Sequence, residues 1–192
     1  MQSELPLYEE IVTTERLRVL QVNPIMGSFD LAHMQRIHTY LFQDVYPFAG
    51  QIRTENIAKD SLLFADSRFI TPDGERLAKE LRSNDYLRST SLDQFGTKDA
   101  DLMADRNVLH PFQEGNGRTT REFIRSLAKE AGFDLDWRRV VPERVFEASV
   151  KSKNDPRELA VVIKECTPPA RGRERTMDAP DKSRVVDKGY ER

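Results

Sequence analysis

The chain has 192 residues, 38% hydrophobic and 32% charged, with a formal net charge of −2 and a pI near 6.0. That length suits one hydrophobic core, with or without a tail, and the charge excludes bulk electrostatic binding to nucleic acid or to an acidic membrane. Cys166 is the only cysteine and the histidines are His33, His38 and His110, which excludes an intrachain disulfide, a four-cysteine zinc site and a His-rich metal site. No run has the roughly 18 apolar residues of a membrane span. The N-terminal MQSELPLYEE lacks the basic-then-apolar pattern of a signal peptide. The expected setting is cytoplasmic, with translocation as an effector left open.

In chain order, the pattern is mostly helical. Residues 8–22 place Ile11, Leu17 and Leu20 at helical spacing, and Asn23-Pro24 ends the run. Asp30 is the expected N-cap of a second helix carrying Leu31, Met34, His38, Leu41, Phe42 and Val45 at a 3.6 period. Tyr46-Pro47-Phe48-Ala49-Gly50 breaks it. Residues 51–70 have no helical pattern, and Ser61 to Ile70 reads as two short extended pieces around a polar turn, a hairpin. Thr71-Pro72 is the expected start of a helix continued by Leu77, Leu81 and Leu87. Further helices are expected over 92–109, from Arg118 to Ala131 with Gly132 as its stop, and near 141–152 and 156–165. The last stretch, 167–192, holds three prolines and twelve charged residues. It cannot bury enough apolar surface to offset chain entropy, so the division is a folded unit over 1–166 and a disordered charged tail over 167–192.

One segment carries chemistry: His110-Pro111-Phe112-Gln113-Glu114-Gly115-Asn116-Gly117-Arg118-Thr119-Thr120-Arg121. Gly115-Asn116-Gly117 precedes a helix. Two glycines permit the positive φ values that turn successive N–H groups toward one point, and the helix N-terminus adds its own unpaired donors and dipole. Together they make a phosphate cradle. Arg118, Arg121 and Arg125 are expected on one helix face toward that cradle, with Phe123, Ile124, Leu127, Ala128 and Ala131 on the other. Arginine beside a helix N-terminus opposes the macrodipole, and a bound polyanion reverses that penalty. Glu114 beside phosphates calls for a bridging cation such as Mg²⁺. His110 is the natural base to take a proton from an attacking hydroxyl. Each residue alone has an ordinary structural explanation; their co-occurrence in one loop and helix is the argument.

The segment resembles the Fic family signature, His-x-Phe-x-(Asp/Glu)-Gly-Asn-Gly-Arg-x-x-Arg, at every defined position from His110 to Arg121. Gly27 to Asp30, His38, Leu41-Phe42 and the Tyr46 to Arg53 turn resemble the family's upstream helix and its aromatic-Ala-Gly-x-x-Arg turn, so the likeness covers about residues 8–165. The resemblance implies an all-α Fic fold with a small β-hairpin flap. It implies a protein adenylyltransferase that moves AMP from ATP to a Ser, Thr or Tyr hydroxyl of a target protein. His110 would be the base and Glu114 the Mg²⁺ ligand. Gly115, Asn116 and Gly117 would hold the phosphates, and Arg118 and Arg121 the triphosphate tail. Phe112 would anchor the loop in the core. A flap of Lys59, Asp60, Ser61, Leu62, Leu63 and Phe64 would align the target by strand pairing.

Doc-like relatives that phosphorylate carry Lys where this chain has Gly117, so Gly117 points to AMP transfer. The alternatives are a catalytically silent nucleotide-binding module and transfer of a different nucleotide-derived group. Many relatives are silenced by a helix bearing Ser/Thr-x-x-x-Glu-Gly/Asn; no such sequence stands here, so a separate small inhibitory antitoxin is the expected partner. Asp105-Arg106-Asn107 departs from the family's usual Glu-Ile/Leu-Asn without touching the nucleotide groups.

Overall fold

The structure is a computed structural model that describes residues 4–59 and 62–168. The tail from residue 169 onward, and Asp60 and Ser61 of the flap, lie outside the described residues. Seven α-helices occupy the described chain: α1 Leu5–Val22, α2 Leu31–Phe42, α3 Ile70–Ser83, α4 Leu92–Leu109, α5 Asn116–Glu130, α6 Pro142–Lys151 and α7 Arg157–Cys166. Two two-residue strands, β1 Ala58–Lys59 and β2 Leu62–Leu63, pair antiparallel with Ala58 opposite Leu63 and Lys59 opposite Leu62.

Helix α5 sits at the centre because one face of it is wholly apolar. Phe123, Ile124, Leu127 and Ala128 are all fully buried, and each large side chain so buried contributes about 1.5–3 kcal/mol. They pack against α2 (Met34, Ile37, Leu41, Phe42) and α4 (Phe95, Ala100, Met103), and α7 closes the far side of α4 with Leu159, Val162 and Ile163. Caps fix the entries. Asp30 accepts from the His33 N–H at 2.8 Å, and Ser91 with Gln94 forms a reciprocal capping box on α4.

Three expectations are corrected. The hairpin starts earlier than Ser61 and is shorter than Ser61–Ile70, within the span of the expected flap: Ala58–Lys59 pairs with Leu62–Leu63, whereas Ser67–Phe69 is a 3₁₀ turn capped by the Asp66 carboxylate. That cap turns the chain early, so α3 begins at Ile70 and not after Thr71. Leu87 lies in a separate 3₁₀ turn, Asp85–Leu87, beyond the end of α3.

Helix α4 buries two charges. Arg106 lies flat on Phe123, its guanidinium 3.9 Å from the ring centroid, and donates to the Phe29 carbonyl at 3.3 Å. Its stem and planar head fill the place of an aliphatic residue. Asp99, about two turns earlier on the same helix, is fully buried, and neither carboxylate oxygen has a hydrogen-bond partner among the described residues. Burial pushes its pKa well above the usual 3.8, opposed only in part by Arg106. A raised carboxyl pKa favours the fold at low pH, an advantage lost as pH rises through that pKa. Asp99→Asn is therefore expected to stabilise the protein on the order of 1 kcal/mol at pH 8 and less at pH 5, measured by urea unfolding. An equal effect at both pH values would show that Asp99 does not titrate differently on folding.

Candidate active site

The site forms where α4 ends and α5 begins. His110 is the C-cap of α4, with left-handed φ 44 and ψ 64, and its N–H closes the helix on the Arg106 carbonyl at 3.1 Å. Histidine in this region costs about 1–2 kcal/mol, so something must hold it. Arg53 does. Its buried guanidinium donates Nε to the His110 carbonyl at 2.7 Å. The remaining donors reach the carbonyls of Glu55 at 2.7 Å, Ala65 at 2.5 Å and Leu109 at 3.3 Å. Backbone pairs Arg53 N–H to Pro111 O and Ala65 N–H to Val108 O, both 2.9 Å, complete the seam. The His110 ring approaches the Asn107 carbonyl through Nδ1 at 3.3 Å. That contact suits the tautomer with its proton on Nδ1. Phe64, just beyond β2, stacks on the same ring at 3.7 Å between centroids.

The loop after His110 is braced from inside. Phe112 is fully buried and stacks on His38 at 4.0 Å, so its anchoring role follows from its packing. The Gly50 N–H donates to His38 Nδ1 at 2.8 Å. That assigns the proton to Nε2, which donates to the Glu114 carbonyl at 2.9 Å. Asn116 turns its side chain inward: Oδ1 accepts from the Phe112 N–H at 2.9 Å and Nδ2 donates to the Phe112 carbonyl at 2.7 Å. Its amide thus closes the loop, and what it offers outward is its backbone N–H.

Gly115 caps α5 with φ 77. A Cβ there would also fall 2.4 Å from the Phe42 ring, so glycine is required twice over. The first intrahelical bond of α5 is Thr119 N–H to Gly115 O. The N–H groups of Asn116, Gly117 and Arg118 precede it and have no acceptor among the described residues. The Arg121 guanidinium folds back over Gly117, where an added Cβ would lie 3.4 Å from Nη1. It carries no hydrogen bond or ion pair among the described residues, and burial, then the neighbouring Arg118, push its pKa down. Glu114 is exposed on the rim.

The three arginines therefore part company. Only Arg121 faces the cradle without a partner. Arg118 is paired with Glu9 of α1 and donates to Thr13 Oγ1 at 3.0 Å. Arg125 turns away, binding Glu122 at 2.6 Å and the Leu20 carbonyl at 2.8 Å. Helical periodicity groups the three on one face, and the carboxylates that claim two of them come from elsewhere in the fold. The sequence pattern does not mark Arg53 and Glu9 as site residues; Arg53 stands in a recognisable turn, whereas Glu9 is 109 residues from its partner and has no local signal. No cluster of three or more metal-ligating side chains exists among the described residues.

This geometry meets its counterpart in known proteins. Residues 28–128 match the model of the Fic/DOC family. The chain belongs to that family. The protein adenylyltransferase VbhT of Bartonella schoenbuchensis is 43% identical over 128 residues, 67% of this chain and 27% of that protein. The probable protein adenylyltransferase y4lH of Sinorhizobium fredii is 35% identical over 79% of this chain and 78% of its own. In structure, the N-terminal Fic domain of a VirB-translocated Bep effector from Bartonella quintana, crystallised with bound ADP, superposes with TM-score 0.82 at 24% identity, over 89% of this chain and 88% of that one. The all-helical Fic fold is thus shared.

Two outcomes follow for the scaffold. Arg53→Lys, which supplies a point charge in place of a four-carbonyl fork, is expected to lower activity by about 10²-fold with a smaller loss in thermal stability than Arg53→Ala; activity equal to wild type would remove Arg53 from the site. Burial first, and Arg118 third, lower the pKa of His38, against the Glu114 hydrogen bond. A lowered histidine pKa contributes stability above the unfolded value of about 6.5 that is lost as pH falls below it. The stability advantage of wild type over His38→Gln, read by denaturant unfolding, should shrink between pH 7 and pH 5.

Proposed function

We propose that the chain is a protein adenylyltransferase: it transfers AMP from ATP to a hydroxyl of a target protein. The observation that carries this reading is the half-buried, unpartnered Arg121 guanidinium beside three N–H groups without acceptors. An uncompensated cation over a helix N-terminus is a site for a polyanion. The adenylyltransferase names of VbhT and y4lH support the identity of that anion as ATP.

In this reading the N–H groups of Asn116, Gly117 and Arg118 receive the phosphate oxygens around the α/β bridge, and Arg121 takes the charge of the tail. His110 Nε2 takes the proton of the target hydroxyl. That oxygen attacks the α-phosphorus, the bond from the α-phosphorus to the bridging oxygen breaks, and pyrophosphate leaves with the electron pair. Glu114, exposed on the rim, would be the residue to hold a Mg²⁺, whose chemistry would be to offset charge on the phosphates. Phe64, just beyond β2, stacks on the His110 ring, so an extended target segment pairing at β2 would meet the base. The setting is a cytoplasm, that of the producing cell or of a cell reached by translocation. A separate small inhibitory protein restrains the enzyme, in keeping with the lack of an internal Ser/Thr-x-x-x-Glu-Gly/Asn sequence.

Lysate protein incubated with Mg²⁺ and ATP should take label from the α-phosphate and not from the γ-phosphate. His110→Ala should reduce labelling by about 10²–10⁴-fold without loss of nucleotide binding. Label from the γ-position would mean kinase chemistry, and no label from either a silent binder. Expression of wild type alone should arrest growth where His110→Ala does not.

A further inference from the structure

The nucleotide reading leaves Arg118 unexplained, because its partners are already in the chain. Glu9 on α1 accepts from Arg118 and, through its other oxygen, from the Tyr46 hydroxyl at 2.7 Å. Thr13, one turn along α1 and 1% exposed, accepts from Arg118 at 3.0 Å. The guanidinium stands 5.0 Å from the centroid of the Phe42 ring, the same ring that presses on Gly115. Glu9 is 14% exposed and Arg118 29%, so the pair is partly withdrawn from water, where its attraction is less screened. The N-terminal half of α1 has little else to hold it: Leu5, Leu7, Tyr8 and Ile11 are all exposed. Glu9 also lies outside residues 28–128, the segment that matches the family.

We propose that Glu9 is a positioning residue that sets nucleotide affinity by holding Arg118. It neutralises the arginine, keeps it on Phe42 and leaves Arg121 as the cation facing the cradle. A bound polyphosphate and Glu9 then compete for one guanidinium, and α1 is a working part of the site. The proposal rests on the nucleotide reading for its ligand, and on the Glu9–Arg118 contact alone for its structural half.

The test uses the full chain, a non-hydrolysable ATP analogue with Mg²⁺, and titration calorimetry. Glu9→Gln keeps the shape and removes the charge. It should tighten binding by about five-fold, equivalent to about 1 kcal/mol. Glu9→Asp should stay near wild type, and in an Arg118→Ala background the Glu9→Gln change should have no effect on binding. Unchanged or weaker binding by Glu9→Gln overturns the proposal, as does the same tightening without Arg118, which would mean only a general change of charge. Loss of binding in Arg121→Ala separately establishes the nucleotide site. If neither wild type nor Arg121→Ala binds the analogue, the nucleotide reading fails. The contact is then decided by amide exchange at residues 5–13: faster exchange in both Glu9→Gln and Arg118→Ala upholds it, and unchanged exchange overturns it.

Discussion

One buried guanidinium joins the parts that must meet. Arg53 draws the carbonyls of Glu55, Ala65, Leu109 and His110 to a single point. Those carbonyls come from the approach to the flap, its exit, and the last turn of α4. A charged group with no water around it is costly unless each donor finds an acceptor, and here the acceptors are backbone atoms whose positions then cease to vary independently. His110 and the backbone at Glu55 and Ala65 are thereby tied to one side chain. Helix α5 provides the other piece, fixed by its apolar face in the core. The proposed reaction site is the gap between these two parts, bridged by Phe112, Asn116 and His38.

The loop shows how local and distant forces divide the work. Gly115 and Asn116 make the turn themselves, one through a positive φ and the other by bonding Phe112 with both ends of its amide. The distant contribution is His38, which passes a constraint from Gly50 to Glu114 through a neutral ring. Because the ring both accepts and donates, only the uncharged form serves, and burial keeps it in that form.

Much of this was legible in the sequence because it is local. The long helices carry strong apolar periodicity, α4 over 92–109 ends where the pattern ends, and the His110 to Arg121 segment holds its chemistry within twelve residues. The overlong hairpin expected over Ser61–Ile70 shows the limit: Ser67 and Arg68 read as a polar turn between two extended pieces, and the Asp66 cap makes Ser67–Phe69 a 3₁₀ entry to α3. The grouping of Arg118, Arg121 and Arg125 failed for a different reason. Helical spacing says which side chains share a face, and it does not say which carboxylate waits there. Glu9 and Glu122 decide that, and Glu9 is brought in only by tertiary packing.

The left-handed backbone at His110 has a consequence for what this position can become. Asparagine and glycine are the residues most at ease at such dihedrals, and neither can take a proton from a hydroxyl at neutral pH. A residue comfortable in the turn is chemically idle, while a residue able to act as base strains the turn. With His110 in its proposed role as base, substitution at this point trades activity for stability, and restoring the base from a relaxed variant means climbing back in folding energy.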